Sequence, residues 1–182
     1  MTRERILDAA IEAMADERDG SLTMAGVAAR AGVTERTVYR HFLTRDALVE
    51  AMWPRMQAQV QAQGFPTTAR GAIDTPRRLF PNFDRNEALV RASIMSASGR
   101  EVRKRANDQR QAAMLACIDE ALPGLDAATR RRRAAIIQLI DSAYGWAVMK
   151  DYWDFDGTEA GEAAAEAVSI LLGVMPAGKS ST

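Results

Sequence analysis

Two residue types that carry much enzyme chemistry are nearly missing: the chain has one histidine and one cysteine in 182 residues. A lone Cys117 excludes an intramolecular disulfide framework and fits a reducing cytoplasm. Its expected role is that of a small buried hydrophobe. With His41 alone, no histidine–cysteine cluster has metal-ligand spacing and no nucleophile–base pair is visible. A glycine-rich phosphate loop is absent too. The expectation is no cofactor, no metal and no enzyme, and only a hydrolase made of converging carboxylates would escape this reading. Net charge is zero, since 24 Lys+Arg balance 24 Asp+Glu. Long hydrophobic runs are also missing. The longest charge-free apolar stretch, residues 167–178, is too short to span a bilayer and contains Pro176. The opening MTRERILDAAIEAMADE is charged and amphipathic, unlike a signal peptide. What remains is a globular chain, 47% hydrophobic, long enough for one or two domains with a sizeable core.

What is present concentrates in residues 23–42, TMAGVAARAGVTERTVYRHF. The pattern describes two short helices joined by a tight turn. Thr23 caps the first, which buries Val27 and Ala28; Ala28 must be small where two helices cross steeply. Gly32 supplies the turn, where positive φ costs a residue without Cβ nothing. Thr34 caps the second helix by accepting from a first-turn amide. Val33 and Val38 have the spacing of a hydrophobic staple. At ~100° per residue Val38 and Phe42 share the buried face, so Arg36 and Arg40 point away from it, flanked by Thr37 and Tyr39. That is the layout of a helix-turn-helix whose second helix enters a DNA major groove.

Charge agrees. Residues 21–45 hold Arg30, Arg36, Arg40 and Arg45 against Glu35, a local excess of three positive charges in a neutral chain. A local basic patch suits a phosphate-facing surface. His41 sits at the edge of the buried face, suited to packing or one phosphate contact.

These residues carry a family resemblance. The stretch Arg3 to Glu50 resembles the N-terminal domain of TetR-family transcriptional regulators. The match runs from Ile6, Leu7, Ala9 and Ala10 through Thr23 and Val27–Thr34, then Thr37–Phe42, Arg45 and Leu48. AGVTERTVYRHF is the most specific run. The resemblance covers about a quarter of the chain. It implies a dimer on a palindromic double-stranded operator, usually a repressor, released when a small molecule enters a helical C-terminal domain. By the same resemblance Thr37 and Tyr39 look like phosphate contacts, as does Arg45 at the head of the fourth helix. Thr44 would cap that helix, whose free amides suit a phosphate. The implied DNA-contacting set is Thr23, Thr34, Glu35, Arg36, Thr37, Tyr39, Arg40, His41, Thr44 and Arg45. Two positions depart from the family pattern. Many members have glycine where this chain has Arg36, which can reach guanine O6 and N7 as a bidentate donor. Position 14, often phenylalanine, is Met14.

The expected fold is all-α, about nine helices, with a DNA-binding domain at 1–47 and a ligand-binding and dimerisation domain at 48–182. Pro54 is expected to kink or end the fourth helix near Trp53. Residues 64–74 read as loop. Pro76 opens a short helix to Phe80, stopped by Pro81. A capping-box start at Asp84 and Glu87 leads into a helix apolar nearly all round and therefore central to the C-terminal domain. Gly99 ends it. One helix then spans Arg100 to Leu122, another Asp126 to about Trp153, and an alanine-rich one about Thr158 to Met175. The basic run Arg130–Arg133 reads as a solvated face, and the terminal GKSST as disordered.

Dimerisation is expected through the last two helices, with Trp146, Ala147, Ala164, Val168 and Leu171 as contacts. Candidate ligand residues are Met95, Met114, Cys117, Asp141 and Tyr144, although a methionine and aromatic stripe is more often plain core. Asp141 falls on an apolar face with Ile137, Tyr144 and Val148. It needs an arginine across the bundle, a wet edge, or a cationic or hydrogen-bonding ligand, because an unpaired buried charge is costly. A regulator controlled by a protein partner, or acting as an activator, is the alternative that the sequence leaves open.

Overall fold

The computed structural model describes residues 1–16 and 22–174. The terminal GKSST and the expected helix end at Met175 lie outside them. Eleven helices and no strand are found among the described residues. They are α1 (Thr2–Ala15), α2 (Met24–Arg30), α3 (Glu35–His41), α4 (Arg45–Gln59), α5 (Ala69–Arg85) and α6 (Glu87–Met95), followed by α7 (Ala97–Arg105), α8 (Asn107–Ala121), α9 (Ala127–Ile140), α10 (Ala143–Trp153) and α11 (Gly157–Leu171). The all-α class is as expected. The extra helices arise because two long segments are broken by caps.

Packing divides the chain into two compact units, 1–62 with 86–107, and 63–85 with 108–182. A cut at 47/48 does not follow this packing, because α4 shares its core with α1. The core of the first unit repeats at helical spacing along α1, with Ile6, Leu7, Ala10 and Met14 buried. Val27 and Ala28 of α2, Val38 of α3, and Leu48, Val49 and Met52 of α4 complete it. Met14 is 1% exposed and fills the position where the family pattern has phenylalanine. Pro54 does not end α4, which continues to Gln59 with Met52 and Met56 buried on either side. Proline removes the amide that Glu50 C=O would accept. Glu50 is exposed, so water can serve that carbonyl. A bidentate pair from Arg55 to Asp8, at 2.8 and 2.9 Å, ties α4 to α1.

The helix expected at the centre of the C-terminal domain belongs instead to this first unit. In α6 only Val90 and Ser93 are buried, while Leu89 and Ala92 pack against the α1–α4 core. Its N-cap Asn86 makes no side-chain capping bond, so the Asp84–Glu87 capping box does not form. Ser96, not Gly99, ends α6, and the same serine caps α7 through Gly99 N at 2.9 Å. Gly99 sits so close to α6 that a Cβ there would lie 2.6 Å from Ser93 O. Ala106 then separates α7 from α8, splitting the expected Arg100–Leu122 helix. Asn107 and Asp108 follow, residue types that favour helix starts over helix interiors.

In the second unit α5 is one helix from Ala69 through both Pro76 and Pro81. It neither opens at Pro76 nor stops at Pro81. Thr68, expected in a loop, caps it by accepting from Gly71 N at 3.1 Å. The amide bonds lost to the prolines are offset by close packing on α11. Gly157 and Gly161 let the two backbones meet there, since a Cβ at Gly157 would lie 2.5 Å from Phe80 O and one at Gly161 2.9 Å from Pro76 O. Ala160, Ala164, Ala165 and Val168 are buried along the same helix. The expected Asp126–Trp153 helix is also two. Asp126 caps α9, and Ser142 caps α10 by accepting from Tyr144 N and Gly145 N. A Cβ at Gly145 would collide with the Ile140 carbonyl, so glycine permits the turn. Met114, Cys117, Ile118 and Ile137 fill the core between α8 and α9.

Candidate nucleic-acid interface

Three threonines set the geometry of residues 23–45. Thr23 accepts from Gly26 N at 3.1 Å, Thr34 from Thr37 N at 3.2 Å and Thr44 from Ala47 N at 3.1 Å. Each satisfies a first-turn amide of α2, α3 or α4. Gly32 has φ 61°, the left-handed conformation that the turn requires. Val33 N then donates to Ala28 O at 3.0 Å, closing α2 against the turn. Val38 is completely buried and Phe42 3% exposed, which fixes the rotation of α3 about its axis. Glu35, Arg36, Tyr39 and Arg40 are therefore exposed, as expected. Arg36 and Arg40 make no ion pair within the described residues. Thr37 is half-buried, its hydroxyl 2.9 Å from that of Thr34. His41 is also half-buried, at the edge of the packed face.

The other two arginines of the patch are engaged. Arg30 pairs with Asp16 at 2.7 Å, across to the end of α1. Arg45 is held more fully: Nε donates to Leu22 O at 2.8 Å, and Nη1 and Nη2 donate to the two carboxylate oxygens of Glu101 at 2.9 and 2.8 Å. The Arg45 guanidinium keeps the Glu101 carboxyl below the usual carboxylate range, against the opposing effect of burial. Next to this pair Arg105 donates to Asp46 at 3.1 Å. So Arg45, expected to hold a phosphate, is bound to a carboxylate in this conformation. Sequence reasoning missed Glu101 because it lies 56 residues away on α7. It missed Arg3 as well, whose guanidinium lies 4.8 Å from the Phe42 ring centre, just past the end of α3.

The expected ligand residues are not gathered at one place. Met95 lies on α6 of the first unit and is 78% exposed. Tyr144 is 40% exposed on α10. Met114 and Cys117 are core. The Cys117 thiol donates to Pro66 O at 3.2 Å, and burial, with Glu120 and Asp141 adding to it, pushes its pKa up to about 11. Such a thiol is packing, not a nucleophile. Asp141 differs from all of these. Both carboxylate oxygens are buried with no hydrogen-bond partner, and burial raises its pKa well above the carboxylate range. Among the described residues no arginine reaches it, so the cross-bundle pair offered by the sequence is not seen there. The same unit holds a second, fully satisfied carboxylate. Asp84 accepts from Trp146 Nε1 at 2.9 Å, Lys150 Nζ at 3.2 Å and Gly157 N at 2.6 Å. Burial opposes ionisation of Asp84, but these donors outweigh it and its pKa is lowered.

Trp146, Ala147, Ala164 and Val168, expected to meet a second copy, are buried within the protomer. The exposed large apolar residues on the last three helices are others: Ile136, Leu139, Tyr144, Val148, Tyr152, Trp153 and Ile170. Within the basic run of α9, Arg130 pairs with Asp119 and Arg133 donates to Leu171 O. No helix of the described residues is long and apolar enough to cross a membrane.

Residues 6–52 match the family model described as bacterial regulatory proteins, tetR family. No curated protein matches the chain. Among solved structures the chain is similar to NalD of Pseudomonas aeruginosa, the secondary repressor of the MexAB-OprM multidrug efflux pump. Identity is 18%, coverage 92% of this chain and 93% of that one, and the TM-score 0.63. It is also similar to a tetR-family transcriptional regulator from Streptomyces coelicolor, at 16% identity, 94% and 83% coverage and a TM-score of 0.58. At these identities the likeness speaks for the fold.

Proposed function

We propose, since the chain belongs to the TetR family through its N-terminal domain, that this transcriptional regulator is a dimeric repressor released from a palindromic operator by a small molecule. One observation carries the reading. Val38 and Phe42 lock α3 into the core and thereby turn Arg36, Tyr39 and Arg40 outward together. In this reading Arg36 and Arg40 meet base edges. Thr34, Thr37, Tyr39, His41, Thr44 and Arg45 meet the phosphate backbone, with Thr23 and Glu35 at its margin. Two copies related by a two-fold axis would present their α3 helices about one DNA turn apart, ~34 Å. The apolar residues Val148, Tyr152 and Ile170, exposed on α10 and α11, supply a face for the second copy. NalD, whose fold this chain shares, is itself a repressor. In this reading the effector binds in the second unit beside Asp141, whose buried carboxyl lacks a partner among the described residues. A ligand acts there only if it binds the released conformation more tightly than the DNA-bound one.

The test is operator selection from a random duplex pool, followed by binding at fixed salt. Arg36→Ala should lose roughly tenfold to a hundredfold in affinity and relax one base position. Tyr39→Phe should lose less, and equally across sequences. If neither substitution changes operator binding, the reading fails.

A further inference from the structure

The α4 N-terminus carries a compact set of four charges. Arg45 and Asp46 open α4; Glu101 and Arg105 lie one turn apart on α7. The Arg45 guanidinium has two edges able to grip an oxyanion in fork geometry. Glu101 fills the Nη1–Nη2 edge with both oxygens, and Leu22 O takes the Nε hydrogen of the other. No complete fork is left for a phosphate. A carboxylate also places a negative charge where a phosphate would approach. Yet Thr44 and Arg45 directly follow the recognition segment, and Arg45 is only half-buried, with 37% of its side chain exposed. Glu101 is 33% exposed, so solvent and ions reach the pair.

From this geometry we infer that Glu101 competes with DNA phosphate for the Arg45 guanidinium and so sets the affinity of this protein for duplex DNA. Binding exchanges one oxyanion for another on the same fork. The exchange is not costly for Glu101, because Arg105 Nη2 already stands 3.6 Å from its Oε1 and remains its partner after Arg45 leaves. The carboxylate thus lowers affinity by the difference between the two pairs and does not abolish binding. The inference rests on the DNA-binding reading given above, and it assigns Glu101 a role opposite to that of a simple support for Arg45.

The experiment uses the full chain and a fluorescein-labelled duplex of random sequence, because a phosphate contact carries no sequence information. Fluorescence anisotropy is recorded over a salt series for the wild type, Glu101→Gln, Glu101→Ala, Arg45→Ala and the double variant Arg45→Ala with Glu101→Gln. Thermal melts confirm that each is folded. Glu101→Gln should bind roughly two- to fivefold more tightly, the size of an ion pair with about a third of its surface exposed. Its log K against log salt should be no shallower than that of the wild type, since Arg45 still displaces a counterion from DNA. In the Arg45→Ala background Glu101→Gln should add nothing. Weaker binding and a shallower salt slope in both Glu101 variants would show that Glu101 positions Arg45 for DNA, and would overturn the inference. Unchanged binding in both would overturn it too. If the wild type binds no duplex at all, the DNA-binding reading itself falls. That result appears before any substitution and cannot be confused with the others.

Discussion

Helices α2, α3 and α4 each begin on a threonine that accepts an amide three residues on. Two aspartates of the second unit depend on more distant parts of the chain. Asp84 gathers donors 62, 66 and 73 residues away, while the carboxylate of Asp141, just past the end of α9, finds none among the described residues. The first arrangement is local and redundant. Losing one cap loosens one turn. The second concentrates several helices on one carboxylate and leaves another carboxyl unsatisfied. A region built like the first is suited to presenting an unchanging surface. A region built like the second has one joint that holds it together and one that an added molecule could complete.

The comparison breaks most visibly at Asp84. Its side chain is 26% exposed and joins α5 to α10 and α11. Asp84→Ala would leave the indole N–H of the fully buried Trp146 without its acceptor. An orphaned buried donor costs about 1–3 kcal/mol, and the lost charge-assisted bonds add to it. We expect this to be the largest loss of stability among the substitutions considered, read by chemical denaturation. Asp84→Asn should recover part of it. The pH dependence has a defined sign. The Asp84 pKa is lowered on folding, so its contribution is complete above the unfolded-state pKa and fades as pH falls through the folded value. A wild-type and Asp84→Asn pair whose difference in stability does not shrink in acid would contradict the assignment of Asp84 as an ionised hub.

Asp141 should behave in the opposite direction. Its folded-state pKa is raised, so the folded protein binds a proton that the unfolded chain has lost. Between the unfolded value, about 3.9, and the folded one, stability falls as pH rises. Asp141→Asn removes that slope. The variant should gain on the wild type as pH climbs from mildly acid to neutral, in denaturation curves recorded without added ligand. A wild-type minus variant difference that is flat with pH would mean that the carboxyl has found a partner or solvent. The same variant sharpens the contrast between the units, since removing Asp84 costs stability at neutral pH whereas neutralising Asp141 restores it.

The same contrast explains what could be read in advance. The DNA-facing helix was legible because its cues lie within one turn: Thr34 before the helix, Val38 and Phe42 four apart, Gly32 at a turn that needs positive φ. The second half departs from its sequence pattern where local cues mislead. Pro76 and Pro81 signal a break, yet packing on the glycines of α11 carries α5 through both. Ser142 and Gly145 break an otherwise continuous pattern, a cap that alternation of apolar residues conceals. The apolar face of Asp141 points to its burial, but the choice among an arginine, a wet edge and a ligand depends on which helices pack beside it, and the sequence leaves that open. Glu101 is the sharpest case. Nothing near residue 101 marks it as a partner of Arg45.

The smallest expected effect lies at Thr34. Its hydroxyl accepts from Thr37 N and stands 2.9 Å from the Thr37 hydroxyl. Thr34→Ala should cost about 1 kcal/mol, the usual worth of an exposed N-cap, and Thr34→Ser should cost much less. Because the cap is local, the loss should stay confined to the first turn of α3. Amide exchange of Thr37 should quicken while the core around Val38 keeps its protection. Exchange that quickens equally across α1 and α4 would mean that this cap supports the whole first unit, and that the two units do not differ in how far a lost polar contact is felt.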